Sequence, residues 1–113
     1  MHELAITEGI VNTAIPAALE GGAKRILEIR LKIGELSGVV PECIQYYFDH
    51  VSIGTIAEGA KLVMESVPMT IECRECGFLG EPDRKGHCCP SCKSRSIRIT
   101  GGRDYFVDNL MVE

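Results

Sequence analysis

At 113 residues, 45% hydrophobic and 25% charged, the chain has the size of one ordinary domain with room for a small appendage. A net charge of −4 argues against a protein built to coat nucleic acid or an anionic membrane. No run of about 18 apolar residues is present to span a bilayer, and no basic stretch followed by an apolar one opens the chain as a secretory signal would, so the expected compartment is the cytoplasm.

The first segment, "ELAITEGIVNTAIPAALEGG", reads as a helix. Leu4, Ile10, Val11, Ala14, Ala18 and Leu19 fall on one face at helical spacing, and Gly21-Gly22 supplies a stop. Pro16 lacks an N–H and clashes with the carbonyl of residue 12, which predicts a kink or a helix that ends near Ile15 and restarts. In "KRILEIRLKIG", Leu27, Ile29, Leu31 and Ile33 alternate with Glu28, Arg30 and Lys32, a strand with one wet face; Ile26 alone breaks the pattern. After a Ser37-Gly38 loop, Pro41 suits the first position of a second helix, whose inward face carries Ile44, Tyr47, Phe48 and Val51. Gly54 to Gly59 reads as a linker, "AKLVMESVPMTIE" as a second strand, and "SRSIRIT" and "RDYFVDNLMV" as further strands around Gly101-Gly102.

Between these strands lie two CxxC pairs, Cys73-Arg-Glu-Cys76-Gly77 and Cys89-Pro-Ser-Cys92. In a cytoplasmic chain, cysteines at this spacing read as metal ligands before disulfides. Each tight turn aims two thiolates at one ion, and four together close a tetrahedron with no open position, so the ion is structural and Zn(II) the expected species. Cys88 with Cys92 is a permitted alternative pairing, and Cys43 reads as a small core residue. Two other uses of such a module stand beside this one. A zinc ribbon can bind nucleic acid or protein, although Arg74, Arg84, Lys85, Lys93, Arg95 and Arg98 are offset by Glu72, Glu75, Glu81 and Asp83, with Phe78 the lone aromatic. A rubredoxin-like redox iron needs the same thiolates, but Lys93 stands where its second knuckle carries glycine.

The start, Met1-His2-Glu3, offers a second set of donors. The terminal amine, the adjoining amide nitrogen and the His2 imidazole form fused chelate rings in nearly one plane, which suits Ni(II) or Cu(II) rather than zinc. Glu3 adds an oxygen or a further backbone nitrogen. No nucleophile–base pair and no phosphate loop is visible, so the expected role is binding without catalysis.

Taken together, the "MHE" start, a first helix, the "IGELSGV" turn and a four-cysteine module ending in "CPSC" resemble the HypA/HybF family of hydrogenase-maturation nickel chaperones along essentially the whole chain. The resemblance implies an α/β (α+β) fold: a small mixed sheet with two helices forms a nickel-binding domain from residues 1–70 and 99–113, and residues 71–98 are an inserted zinc-ribbon-like domain. It implies nickel held by the Met1 amine, His2 and Glu3 near the "GELSG" loop, and zinc held by Cys73, Cys76, Cys89 and Cys92. It also implies a chaperone that hands Ni(II), with a HypB-type GTPase, to the large-subunit precursor of a [NiFe]-hydrogenase, some relatives serving urease. Neither nucleic acid nor membrane is among the implied partners, and the chain is read as a monomer or homodimer. In one respect it departs from the pattern. Some relatives place an acidic side chain before the second helix, where this chain has Gly38-Val39-Val40-Pro41 and its nearest carboxylate is Glu42. Of the histidines that flank the zinc motifs in some members only His87 is present, and His50 reads as structural.

Overall fold

The computed structural model describes residues 2–113. Helix α1 spans Glu3–Glu20, strand β1 Ile26–Gly34, helix α2 Pro41–Val51 and strand β2 Lys61–Val67. Strands β3 (Thr70–Cys73), β4 (Leu79–Gly80), β5 (Ile97–Gly101) and β6 (Tyr105–Val112) follow. They form two separate three-stranded sheets, ordered β2-β1-β6 and β4-β3-β5. The first is mixed: β1 lies parallel to β2, with α2 as the crossover between them, and antiparallel to β6.

Helix α1 runs unbroken through Pro16. Ile6, Thr7, Ile10, Val11, Ala14 and Ala18 are buried, and Pro16 lies on the opposite face. There the Asn12 carbonyl, deprived of its amide partner, is on the wet side, while Ala14 and Ala18 keep the inner face packed. Leu19 lies across the helix from the buried stripe and Leu4 at its margin, so both are exposed rather than inward-facing. The hydroxyl of the buried Thr7 donates to the Glu3 carbonyl at 2.7 Å, which fixes the first turn.

Strand β1 alternates as its sequence requires from Ile29 to Ile33, but its start is inverted: Ile26 is buried and Leu27 exposed. A bulge explains the exception. Ile26 pairs with Val112 and Glu28 with Met111, leaving Leu27 as the extra residue that turns outward. A second irregularity leaves Asp108 of β6 unpaired between Asn109 and Val107. Helix α2 opens with Pro41 in its first turn and buries Ile44 and Phe48, with Tyr47 and Val51 half-buried.

The hydrophobic core belongs to α1, α2 and the first sheet: Ile10, Ala14, Ile26, Ile29, Ile44 and Phe48 are at its centre. The stretch read as one strand from Ala60 to Glu72 is divided at Pro68-Met69, and its halves join different sheets. Proline has no N–H to give to a ladder, and the break lets the chain cross from one sheet to the other. Residues 99–101, assigned by sequence to the first domain, pair through β5 with β3 in the second sheet. At the end of β1, Gly34 is glycine for want of space: a Cβ there would lie 2.4 Å from the Gly102 carbonyl oxygen. Gly34→Ala is expected to lower stability by about 1–3 kcal/mol through overpacking, measured by urea unfolding followed at the first sheet.

Candidate metal centre

The two CxxC turns are built to one plan. In the first, the Gly77 N–H donates to the Cys73 carbonyl at 3.0 Å; in the second, the Lys93 N–H donates to the Cys89 carbonyl at 2.9 Å. Both fifth residues are left-handed, with φ of 78° at Gly77 and 65° at Lys93. The leading sulfur of each turn accepts backbone N–H groups. Cys73 Sγ takes that of Cys76 at 3.4 Å, and Cys89 Sγ takes those of Ser91 at 3.3 Å and Cys92 at 3.5 Å. Such N–H groups favour thiolate over thiol, the form a cation requires.

The turns face each other so that all four sulfurs lie within 4.8 Å of one another. Cys73 and Cys92 approach to 3.6 Å and Cys76 and Cys89 to 3.5 Å. Cys73 and Cys89 are buried, while Cys76 and Cys92 lie on the outside. Their proton affinities divide in the same way. The Cys76 N–H draws the Cys73 thiol down to about 6 in spite of its burial. At Cys89 burial works upward, but the N–H groups of Cys92 and Ser91 carry the thiol below its ordinary range. At Cys92 the Ser94 N–H works downward, yet burial and the three neighbouring cysteines push the thiol up to about 12. Cys76 is also raised: its Cys89 neighbour and burial overcome the Phe78 N–H. The inner pair is thereby biased toward thiolate and the outer pair toward thiol. This donor set fits a tetrahedral, thiophilic ion such as Zn(II).

The structure leaves Cys88 out of this cluster. It is buried nearby, and its backbone bridges to Asp83 across the intervening loop. His87 is exposed in that loop with φ of 50°. His50 lies in the last turn of α2, its ring 5.1 Å from Tyr46 and its Nδ1 3.0 Å from the Tyr46 carbonyl. Cys43 is half-buried on α2.

At the other candidate centre, His2 is the N-cap of α1, exposed, and its side chain makes no capping bond. The first rung of the helix is the Ile6 N–H donating to the His2 carbonyl at 3.1 Å. The amides of His2 and Glu3 precede the ladder, as the first N–H groups of any helix do. The Met1 amine, the remaining expected donor, lies outside the described residues. Among the described residues, no second group of three or more His, Cys, Asp or Glu side chains converges as the four cysteines do.

Lys93, noted in the sequence as standing where a knuckle glycine would, adopts the left-handed backbone that Gly77 holds after the first CxxC.

Compared with known proteins, residues 1–112 match the family described as "Hydrogenase/urease nickel incorporation, metallochaperone, hypA". The hydrogenase maturation factor HypA of Methanothermobacter thermautotrophicus is 40% identical over 120 residues, spanning 100% of this chain and 98% of that protein. Its counterpart in Geobacter sulfurreducens is 40% identical over 113 residues, with both chains covered in full. The solution structure of the nickel metallochaperone HypA from Helicobacter pylori shares the fold, with a TM-score of 0.72 at 21% identity over 99% of this chain and 97% of that one. A second HypA solution structure aligns with a TM-score of 0.78 at 21% identity, covering 100% and 97%. The chain belongs to the HypA family, a family of metallochaperones for hydrogenase and urease nickel incorporation rather than of enzymes.

The matched knuckles make a prediction. Gly77→Ala is expected to weaken metal retention about tenfold, because a Cβ in the left-handed region costs roughly 1–2 kcal/mol. Lys93→Gly is expected to retain the metal as well or better. Competition with a chromophoric chelator measures both.

Proposed function

We propose that this HypA-family protein carries Ni(II) at its amino terminus and, with a HypB-type GTPase, delivers it to the large-subunit precursor of a [NiFe]-hydrogenase. Cys73, Cys76, Cys89 and Cys92 hold a resident Zn(II) that keeps the second sheet in shape. The observation that carries the nickel reading is the state of His2: an exposed N-cap whose imidazole is not spent on capping, next to backbone amides outside the helical ladder. The Met1 amine, the His2 amide nitrogen and the His2 imidazole supply three in-plane nitrogens, and Glu3 a further donor, a set that suits a planar divalent ion. The family membership supports nickel over copper as the cargo.

On this reading labour is divided along the chain. Residues 1–67 and the carboxy-terminal strand form the cargo domain. The four-cysteine module is inserted into it, its edges falling at Pro68-Met69 and Gly101-Gly102, where the chain changes sheets. Partners in hydrogenase maturation dock on the cargo domain. GTP hydrolysis belongs to the partner, since the sequence lacks a phosphate loop. Among the described residues, no helix is long and apolar enough to cross a membrane.

The proposal is tested on untagged protein with its native start. His2→Ala, or one residue added before Met1, is expected to abolish nickel binding in calorimetry and leave one zinc per chain. Unchanged nickel affinity in either variant would place the cargo elsewhere. A red iron protein in place of a colourless zinc one would favour the redox reading of the module.

Acid separates the two metals. Imidazole and amine donors take up protons in mild acid, and metal leaves as they do. Dialysis at about pH 6 is therefore expected to strip nickel and leave zinc, because a closed set of thiolates holds its ion more firmly against protons than an open end does. Metal content after dialysis is the measurement.

A further inference from the structure

The "GELSG" turn lies where the two sheets are joined. The molecule is long for its size: its radius of gyration is 17.6 Å, against about 13 Å for a compact domain of roughly 100 residues. No strand of one sheet packs extensively on an element of the other. Two strands of chain make the passage, Val67–Met69 outward and Gly101–Asp104 back.

Three consecutive residues of the turn hold both crossings. The Gly34 N–H donates to the Asp104 carbonyl at 2.8 Å, the Glu35 N–H to the Val67 carbonyl at 2.8 Å and the Leu36 N–H to the Gly102 carbonyl at 2.7 Å. The turn is itself braced by Ser37, whose hydroxyl donates to the Gly34 carbonyl at 2.7 Å and accepts from the Val39 N–H at 3.3 Å. The three bonds from Gly34, Glu35 and Leu36 tie backbone to backbone at the neck. One side chain reaches beyond it. The Glu35 carboxylate accepts the Met69 N–H at 2.8 Å and both terminal nitrogens of the Arg84 guanidinium, one of them at 3.1 Å. Arg84 sits midway along the loop that joins the two CxxC turns, and its other contact is Glu81 of the same loop at 2.9 Å. The loop is in turn fastened to the second knuckle, where Asp83 Oδ2 accepts from Lys93 Nζ at 3.3 Å.

We infer that Glu35 is a positioning residue: a strut from the end of β1 to the cysteine module's long loop that fixes the module's orientation on the main sheet. The backbone bonds alone form a hinge, since both crossings pass through one short line of three residues. A contact off that line stops rotation about it, and Glu35–Arg84 is such a contact. The two-pronged pairing suits this task, because a planar guanidinium on a carboxylate fixes direction as well as distance. The carboxylate is held in its ionised form, its proton affinity lowered by the Arg84 hydrogen bonds and then by the Met69 N–H. Through Arg84, Asp83 and Lys93, the strut connects the turn to the backbone of the second knuckle. Its occupant is this chain itself, and the inference does not depend on which ion either centre binds.

The test measures orientation in the full-length, metal-loaded protein. Residual dipolar couplings from the two sheets are expected to fit one alignment tensor in the parent. Glu35→Gln and Arg84→Gln are each expected to lose that common tensor, while each sheet still fits a tensor of its own. Arg84→Lys, which keeps the charge, is expected to retain the common tensor better than Arg84→Gln. Should Glu35→Gln fail to fold, Arg84→Gln carries the test, since Arg84 is on the surface. One shared tensor in both Gln variants, or equal loss in Arg84→Gln and Arg84→Lys, would overturn the inference.

Discussion

The second sheet has almost no apolar interior, so its shape rests on its sulfur atoms. Ile71 is the one large aliphatic side chain fully buried in it, and the other groups at its centre are Cys73 and Cys89. Strand β4 has two residues, and β3 and β5 are short. An isolated pair of short strands is marginal in water, and a three-stranded sheet needs an apolar face it does not have here. Convergence of four thiols on one point supplies what is missing: a metal bound there contributes roughly 10–16 kcal/mol in comparable small modules. The N–H groups aimed at Cys73 and Cys89 favour the thiolate form of those two sulfurs.

A module held together locally can be carried as a rigid piece, and the rest of the architecture treats it as one. The main sheet owns the hydrophobic core and both helices. The chain leaves it once, at Pro68-Met69, and returns once, at Gly102. Crowding at that neck leaves no room for a Cβ on Gly34. The result is two bodies of different chemistry, one built on buried apolar side chains and one on four converging thiols, joined through a line of backbone hydrogen bonds.

The sequence was most legible where a single physical rule decided the outcome. Alternation placed β1 from Ile29 to Ile33, and Pro41 with Ile44 and Phe48 placed α2. The spacing of Cys73, Cys76, Cys89 and Cys92 marked four thiols that the fold brings together. It was least legible where two rules competed. Pro16 signals a break, yet packing of Ala14 and Ala18 keeps α1 whole with the proline turned to water. Leu27 fits the alternation and Ile26 does not, yet a bulge reverses their roles, because pairing with β6 is a long-range fact that a local pattern does not contain. The same limit hid the division of "AKLVMESVPMTIE" between two sheets and the pairing of 99–101 with β3. The Glu35–Arg84 contact joins residues 49 positions apart, and nothing near either one announces the other.

The proposed division between resident and cargo metal has a physical logic in where the donors sit. Four thiolates contributed by two facing turns can be opened only by unfolding those turns, so exchange is slow and suits an ion that serves the fold. Donors within one dipeptide at a chain end need no such rearrangement. A partner that competes for one in-plane nitrogen can take the ion while the core of α1, from Ile6 onward, stays packed. The buried Thr7, whose hydroxyl is tied to the Glu3 carbonyl, anchors the first turn, and Ile6 beside it is already in the core, so commitment to the fold begins within that turn.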